Sequence, residues 1–453
     1  MKLEKPEKRH LIIVAYALIL LVLSIPIKNL LADAWVSSPG LKGLLYELER
    51  ETGKPVVERW KSLEVLVLGI FWGMLAATSW LDYKKRLQGV LLLLASSIVV
   101  LAYVSYLLPR SVFLLVGAVA GALITYVRSE KVTKTYRKCE FGTKIIYWIG
   151  SLAVGIALLS VIAHNYALNR DFGFIIEMPY LMYLISSVAF VKVLKKFTDY
   201  EVSSTKVMVV GPYRVGKTVF MGACYDYAVG EDLVAEFPTP DLVDVHRHLT
   251  QSNAAMPECW PPPTPPHAIK EYRFTYTCGT LFVKDVELLA YDYSGELFEE
   301  VLRFLRRETE GIGEMPRKIG ASILAADQLV FLLDVQDLSG EGETRAALGA
   351  YIEIAKNSKK PYYLVATKCD ALWDAKWEVS DENYERLRAR VMKVLNRYPE
   401  FKVLEKRCRG DVMYVLVFTS KDGERRGCPH VREEGRLLSL GYDRVLEVLG
   451  GAG

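Results

Sequence analysis

Eight consecutive residues, Gly211-Pro212-Tyr213-Arg214-Val215-Gly216-Lys217-Thr218, fit the spacing G-x-x-x-x-G-K-[ST]. Glycines at both ends let the backbone curl so that successive N–H groups point inward. A helix that opens at Lys217, Thr218 and Val219 adds the positive end of its dipole. Together these groups make a cradle for phosphate oxygens. Lys217 supplies a mobile positive charge for the β and γ oxygens, and the Thr218 hydroxyl is placed to hold Mg²⁺. The context required of the motif is present, because Lys206–Val210 is a short β-branched run and Val219–Val229 reads as a helix.

Three later segments extend the chemistry. The apolar run Val286–Tyr291 ends in Asp292-Tyr293-Ser294-Gly295-Glu296, a D-x-x-G in which Asp292 would reach Mg²⁺ through water and Gly295 would offer its N–H to a terminal phosphate. Two further strand-like runs, Leu329–Asp334 and Tyr362–Ala366, follow, and the second leads into Thr367-Lys368-Cys369-Asp370. The Asp370 carboxylate can accept from guanine N1 and N2 together, a pair of donors that adenine lacks. Finally, Met413–Phe418 runs into Thr419-Ser420-Lys421, where Ser420 and Lys421 can support the base.

Short apolar runs near 206, 272, 286, 329, 362 and 413 alternate with helical patterns at 219–229, 297–306, 342–357, 382–397 and 432–448. Such alternation fits an α/β domain. With its four motifs in this order, the segment 205–450 resembles a Ras-like P-loop GTPase, and the resemblance implies a mostly parallel, six-stranded sheet with helices on both faces. It is more weakly similar to prokaryotic membrane-associated and double-GTPase relatives and to the signal-recognition-particle receptor β subunit. The resemblance implies GTP/GDP as ligand, Mg²⁺ as cofactor, hydrolysis to GDP and phosphate, and a protein effector or GTPase-activating partner. It also implies a second Mg²⁺ ligand in the first switch. Thr264, within Trp260-Pro261-Pro262-Pro263-Thr264-Pro265-Pro266, is the expected residue, with Thr239 and Thr250 as alternatives.

At one catalytic position the chain departs from the family. The water-orienting glutamine that normally follows the glycine is replaced by Glu296. A carboxylate can accept from the attacking water, but its charge opposes the γ-phosphate, so turnover is expected to be slow. Arg214 and Arg273 are conceivable charge-stabilising groups, each expected instead to be an ordinary surface charge.

The chain that precedes these motifs is a different material. Residues 1–200 carry 24 Lys and Arg against 14 Asp and Glu, whereas residues 201–453 carry 33 against 39. Uncharged runs at Leu11–Ile27, Val65–Leu81, Leu87–Pro109, Ser111–Val127 and Ile145–Ala163, with a weaker one at Phe172–Val191, approach the length that crosses a bilayer. An all-α transmembrane bundle of about six helices is therefore expected over 1–197, joined by a linker (198–204) to the GTPase-like domain. Lys and Arg concentrate before the first span, between the second and third, between the fourth and fifth, and after the sixth. By the positive-inside rule the N-terminus and the α/β domain are cytoplasmic, at the cell membrane. An acidic folded domain argues against nucleic acid as a partner. Seven scattered cysteines without repeated C-x-x-C spacing suggest reduced thiols, and the loose set Cys408, Cys428 and His430 is not expected to bind metal. Gly69-x-x-x-Gly73 and Gly117-x-x-x-Gly121 favour close packing within the bundle over dimerisation. The function that follows is a membrane-anchored, slowly hydrolysing switch. A GTP-gated transporter and a GTP-holding scaffold without turnover are the alternatives, although no secure span carries a deeply placed ionisable residue.

Overall fold

The computed structural model describes residues 8–36, 49–51, 53, 56–82, 84–102, 108–131, 137–138, 140–169, 178–200, 204–236, 238–251, 259–262, 269–279, 283–293, 295–308, 310–339, 343–374, 378–420 and 427–451. It forms two compact units, one comprising mainly Lys5–Val202 and the other mainly Ser203–Gly279 and Lys284–Gly453.

The first unit contains helices α1 (Lys8–Val36), α2 (Val56–Leu81), α3 (Arg86–Ala102), α4 (Ser111–Val127), α5 (Glu140–Asn169) and α6 (Met178–Asp199). Among the described residues three stretches, Leu11–Leu30, Leu108–Val127 and Lys144–Ala163, are long and apolar enough to cross a membrane. Val65–Leu81 and Arg86–Ser97 are shorter apolar helices. The sixth expected run lies partly outside the described residues, and its helix, which starts at Met178, carries Lys192, Lys195 and Lys196 in its last two turns. This helix also extends to Asp199, into the expected linker.

Helices α2 and α4 meet along their glycines. A methyl group on Gly69 would overlap the Leu114 carbonyl, one on Gly73 that of Ala118, one on Gly117 that of Leu66, and one on Gly121 that of Ile70. The small-residue pattern is thus used inside the chain, as expected. Gly73→Leu should lower the melting temperature of the detergent-solubilised protein, since forcing these backbones apart costs about 1–3 kcal/mol or more. Gly155→Leu, where nothing lies within 4 Å of the new carbon, should change it little.

The end of α6 is tied to the start of α3. Lys85 Nζ donates to Thr198 O at 2.6 Å, and Gln88 Nε2 donates to Phe197 O and Tyr200 O at 3.1 and 2.5 Å. A lysine at a helix C-terminus satisfies orphan carbonyls and complements the dipole. Asp82 Oδ1 accepts the backbone N–H groups of Lys84 and Lys85, shaping the turn that places them.

The second unit runs β1 (Thr205–Val210), α7 (Lys217–Gly230), β2 (Val234–Glu236), α8 (Pro240–Gln251), β3 (Lys270–Cys278), β4 (Lys284–Asp292), α9 (Gly295–Leu305), α10 (Glu314–Ala325), β5 (Gln328–Asp334), α11 (Val335–Leu338), α12 (Glu343–Ser358), β6 (Tyr362–Thr367), α13 (Asp381–Leu395), α14 (Pro399–Glu405), β7 (Met413–Tyr414), β8 (Leu416–Val417), β9 (Ser439–Leu440) and α15 (Tyr442–Leu449). Its main sheet has the order β2-β3-β4-β1-β5-β6-β7. The neighbours from β4 to β7 are parallel, while β3 pairs antiparallel with both β4 and β2. Among the described residues the main sheet has seven strands where six were expected, because β2 is a three-residue edge strand too short to show an apolar pattern.

The sheet is buried on both faces, as a parallel sheet must be. Met208 and Val210 of β1 face a core with Phe331, Tyr351 and the helices α9, α10, α12 and α13, while Val207 and Val209 face Phe220, Tyr276, Leu249 and Tyr442. Tyr351 stacks on Phe331 with ring centroids 4.6 Å apart and donates to Leu332 O at 2.7 Å. The other core is latched by Tyr276, which donates to Leu446 O at 2.9 Å.

Two boundaries differ from the sequence reading. The run Met413–Phe418 breaks at Val415, so β7 stays in the main sheet while β8 pairs with β9. The helix expected over 432–448 begins only at Tyr442. Gly435 and Gly441 both hold positive φ, and any side chain on Gly441 would overlap the Tyr414 carbonyl, which fixes a turn there.

Candidate functional site

Strand β1 is central in the sheet, and the turn that leaves its C-terminal end carries Gly211–Gly216 before α7 begins. Two residues of the turn are left-handed, Arg214 at φ 62° and Gly216 at φ 93°. Gly216 adopts this conformation without the penalty a Cβ would impose. Helix α7 has 14 residues and no side-chain cap at Gly216, so its first N–H groups face the turn.

Lys217 lies almost fully buried beneath this turn. Its Nζ donates to Gly211 O at 3.0 Å and to Pro212 O at 2.7 Å, and it stands 3.8 Å from Asp292 Oδ1. Burial lowers its pKa to about 8, against the opposing pull of Asp292. The amine also sits 4.7 Å from the centre of the Tyr293 ring. Tyr293 donates to Gly211 O at 3.3 Å and stacks on Phe298 of α9.

The Thr218 hydroxyl donates to Asp292 Oδ2 at 2.8 Å. Residues 74 positions apart thus present a hydroxyl and a carboxylate oxygen at one point, the hard-oxygen pair that suits Mg²⁺. Among the described residues no group of three or more His, Cys, Asp and Glu could hold a metal. Thr264, the expected partner of this pair, lies outside the described residues. Its alternatives are otherwise engaged, since Thr239 Oγ1 donates to Glu271 O and Thr250 Oγ1 to His246 O, each at 2.8 Å. Gly295 opens α9 with Glu296 second in that helix, which places both just beyond the end of β4.

On the other side of the turn, Thr367 Oγ1 donates to Val215 O at 2.8 Å and is 3.2 Å from Leu333 O. It fastens the end of β6 to the glycine-rich turn. Lys368 takes a left-handed φ of 52°, and its Nζ pairs with Asp334 Oδ2 at 2.5 Å. Asp370 follows in a 3-10 turn, Cys369–Leu372, with its side chain reaching solvent. Partial desolvation raises its carboxyl above the ordinary value, against the opposing influence of its own backbone N–H and of Lys368.

A cavity of about 290 Å³ opens between these elements, bordered by Gly216, Phe220, Trp260, Lys368, Asp370 and Tyr442 among others. The sequence-based candidates Gly211, Val215, Gly216, Lys217, Thr218, Val219, Asp292, Thr367, Lys368 and Asp370 are therefore gathered at one end of the sheet. The Arg214 guanidinium lies over the Tyr213 ring, 5.2 Å from its centre. Arg273 is paired with Glu271 and Glu287 at 3.6 and 3.7 Å, a surface arrangement as expected. Ser420 is held by its backbone, its N–H reaching Cys428 O at 2.8 Å, while Lys421 lies outside the described residues.

Sequence reasoning missed Asp334, Trp260, Tyr293 and Tyr442 as parts of this region. Tyr293 was legible as the residue after Asp292. The others reach the site only through the fold.

One expectation is corrected. Cys259 and Cys428 form a disulfide across 169 residues, so the thiols of this unit are not all reduced. Nothing in the spacing signals the pair, because the two segments meet only once β3–β7 have folded between them. Cys224 and Cys369 remain buried free thiols, and burial raises both above the ordinary range.

Comparison with known proteins yields no matching family model and no matching curated protein.

Proposed function

We propose that the chain is a multi-pass membrane protein whose C-terminal unit binds GTP and hydrolyses it slowly, as a regulatory or trafficking switch with a protein effector. The observation that supports this most is the Thr367–Val215 hydrogen bond. It joins the segment suited to reading a base to the segment suited to cradling phosphates, which are 152 residues apart. The Thr218–Asp292 pair supplies the third element at the same end of the sheet.

In this reading the N–H groups at the start of α7 and the Lys217 amine take the phosphate oxygens, and Lys217 exchanges two carbonyl partners for them. Thr218 and Asp292 would hold Mg²⁺, with Thr264 the expected further ligand. When bound, Mg²⁺ neutralises charge on the phosphate oxygens. Gly295, at the start of α9, donates to the terminal phosphate, so loss of that phosphate frees α9 to move. The stack of Tyr293 on Phe298 links this helix to the turn. Glu296 accepts a hydrogen bond from the attacking water and so orients it, at the cost of its own repulsion from phosphate.

The membrane reading rests on α1–α6 as six spans with both ends cytoplasmic. The Lys85–Thr198 and Gln88–Phe197 bonds support an even count, since they put the basic turn before α3 and the end of α6 at the same end of the bundle.

The test is equilibrium binding of GTP, GDP and ATP to the full-length chain in detergent micelles. Guanine nucleotides should win clearly, and tighter binding of ATP would sink the proposal. Turnover is read separately, by phosphate release from protein preloaded with GTP. Glu296→Gln should accelerate single-turnover release, because it removes the charge that opposes the γ-phosphate. Slower release at unchanged GTP affinity would instead make Glu296 the working base, and no release from either form would favour a scaffold.

A further inference from the structure

The disulfide is not a remote staple. Cys259 begins the described stretch 259–262, between α8 and β3, and Cys428 lies on the hairpin that returns from Ser420. That hairpin is held by Ser420 N–H to Cys428 O at 2.8 Å, by Gly427 N–H to Ser420 O at 2.9 Å and by pairing of Thr419 with Pro429. Trp260, the residue after Cys259, donates Nε1–H to Gly427 O at 3.0 Å. Its ring borders the same cavity as Lys368 and Asp370 and is 38% exposed. One covalent and one hydrogen bond therefore fasten a single aromatic side chain beside the opening where a base would enter. No other disulfide occurs among the described residues.

We propose that Trp260 is a purine-stacking residue fixed at this cavity by the Cys259–Cys428 bond, and that reduction of the bond by a dithiol releases it and speeds nucleotide loss. The inference rests on the nucleotide reading above and adds a redox control to it. Every purine offers a π face to an indole, and such a contact is strong only if the indole is already in place. With the disulfide closed, the residue next to Cys259 has few conformations to lose when nucleotide binds. With it open, the stretch must be ordered at each binding event, so nucleotide is held less firmly.

The redox step is thiol–disulfide exchange. A thiolate of the dithiol attacks one sulfur, forming a mixed disulfide and expelling the other cysteine as a thiolate that takes a proton. The second thiol of the reagent then displaces the first cysteine. Two electrons pass from the dithiol, which ends as a cyclic disulfide, to the protein, which ends with two thiols. Both cysteines are only 8% exposed, so a small dithiol is the appropriate probe.

The experiment measures release of a fluorescent GDP, N-methylanthraniloyl-GDP, from full-length protein in detergent, before and after treatment with dithiothreitol. Reduction should speed release on the order of tenfold, the scale of one stacked base contact made or lost. The Cys259→Ser/Cys428→Ser double variant should release at the reduced rate and ignore the reagent. Trp260→Ala should release at that rate with the disulfide intact, whereas Trp260→Phe should restore slow release under oxidising conditions. A merely structural disulfide would lower the melting temperature on reduction but leave all these rates alike, and that result overturns the inference. So would alkylation of both cysteines without reductant. If GDP binds and its release ignores reduction, the redox control alone falls. If no GDP binds in either state, the nucleotide reading falls with it.

Discussion

Lys217→Ala should leave the full-length chain with little capacity to retain GTP or GDP, a loss of affinity on the order of 100-fold or more. The amine is nearly buried, donates to Gly211 O and Pro212 O at 3.0 and 2.7 Å, and faces Asp292 at 3.8 Å. In the proposed nucleotide complex those donors would pass to phosphate oxygens. Charge-assisted hydrogen bonds contribute about 1.5–3 kcal/mol each, and tenfold in affinity is about 1.4 kcal/mol. Losing even two of them accounts for the expected effect. The fold should survive, since burial already disfavours the charged form of this lysine and its removal takes a desolvated amine out of the interior. Binding is measured by isothermal titration, with thermal melting of the free protein as the control. Unchanged affinity in a folded variant would remove the glycine-rich turn as the phosphate site.

Asp370→Asn should cost GTP binding a comparable or larger factor and transfer the preference to xanthosine nucleotides. In the proposed complex the carboxylate would accept two donors from guanine. Its amide replacement faces one of them with its own N–H, which leaves a polar group unpaired in a confined site. Sites built to hydrogen-bond a specific edge reject the wrong partner by roughly 10⁴-fold or more. Competition between GTP and XTP for the two forms reads this directly, and equal preference in both would overturn the base assignment. Desolvation raises the Asp370 carboxyl, so the protonated acid, which cannot accept twice, appears at a higher pH than for an ordinary aspartate. Guanine affinity should therefore be complete near neutrality and fall as pH drops through that raised value.

The central strands were legible because residues such as Val207–Val210 and Leu329–Leu333 are buried on both faces and can only be apolar. The glycine-rich turn was legible because its geometry demands particular residues at fixed offsets, as Gly216 at φ 93° shows. The missed helices are amphipathic and follow short or irregular connections. Pro240–Gln251, for example, carries His246 and His248 within a polar sequence, and its place is set by the His246–Asp226 contact at 2.9 Å. The stretch 432–441 reads as the start of a helix, whereas its turns depend on Gly435 and Gly441 and Ser439–Leu440 pairs with Leu416–Val417.

The sequence by itself determined that a basic, apolar half precedes an acidic α/β half, which motifs occur and in what order. Such properties reside in local composition and in contiguous spacing. Only the tertiary structure decided that Thr367 reaches Val215, that Asp334 pairs with Lys368, that the glycines of α2 and α4 face each other, and that Cys259 meets Cys428 beside Trp260. Each of these joins residues far apart in the chain. In the α/β unit their meeting depends on strand order and on burying both faces of one sheet, and in the helical unit on helix packing, neither of which any short window of sequence contains.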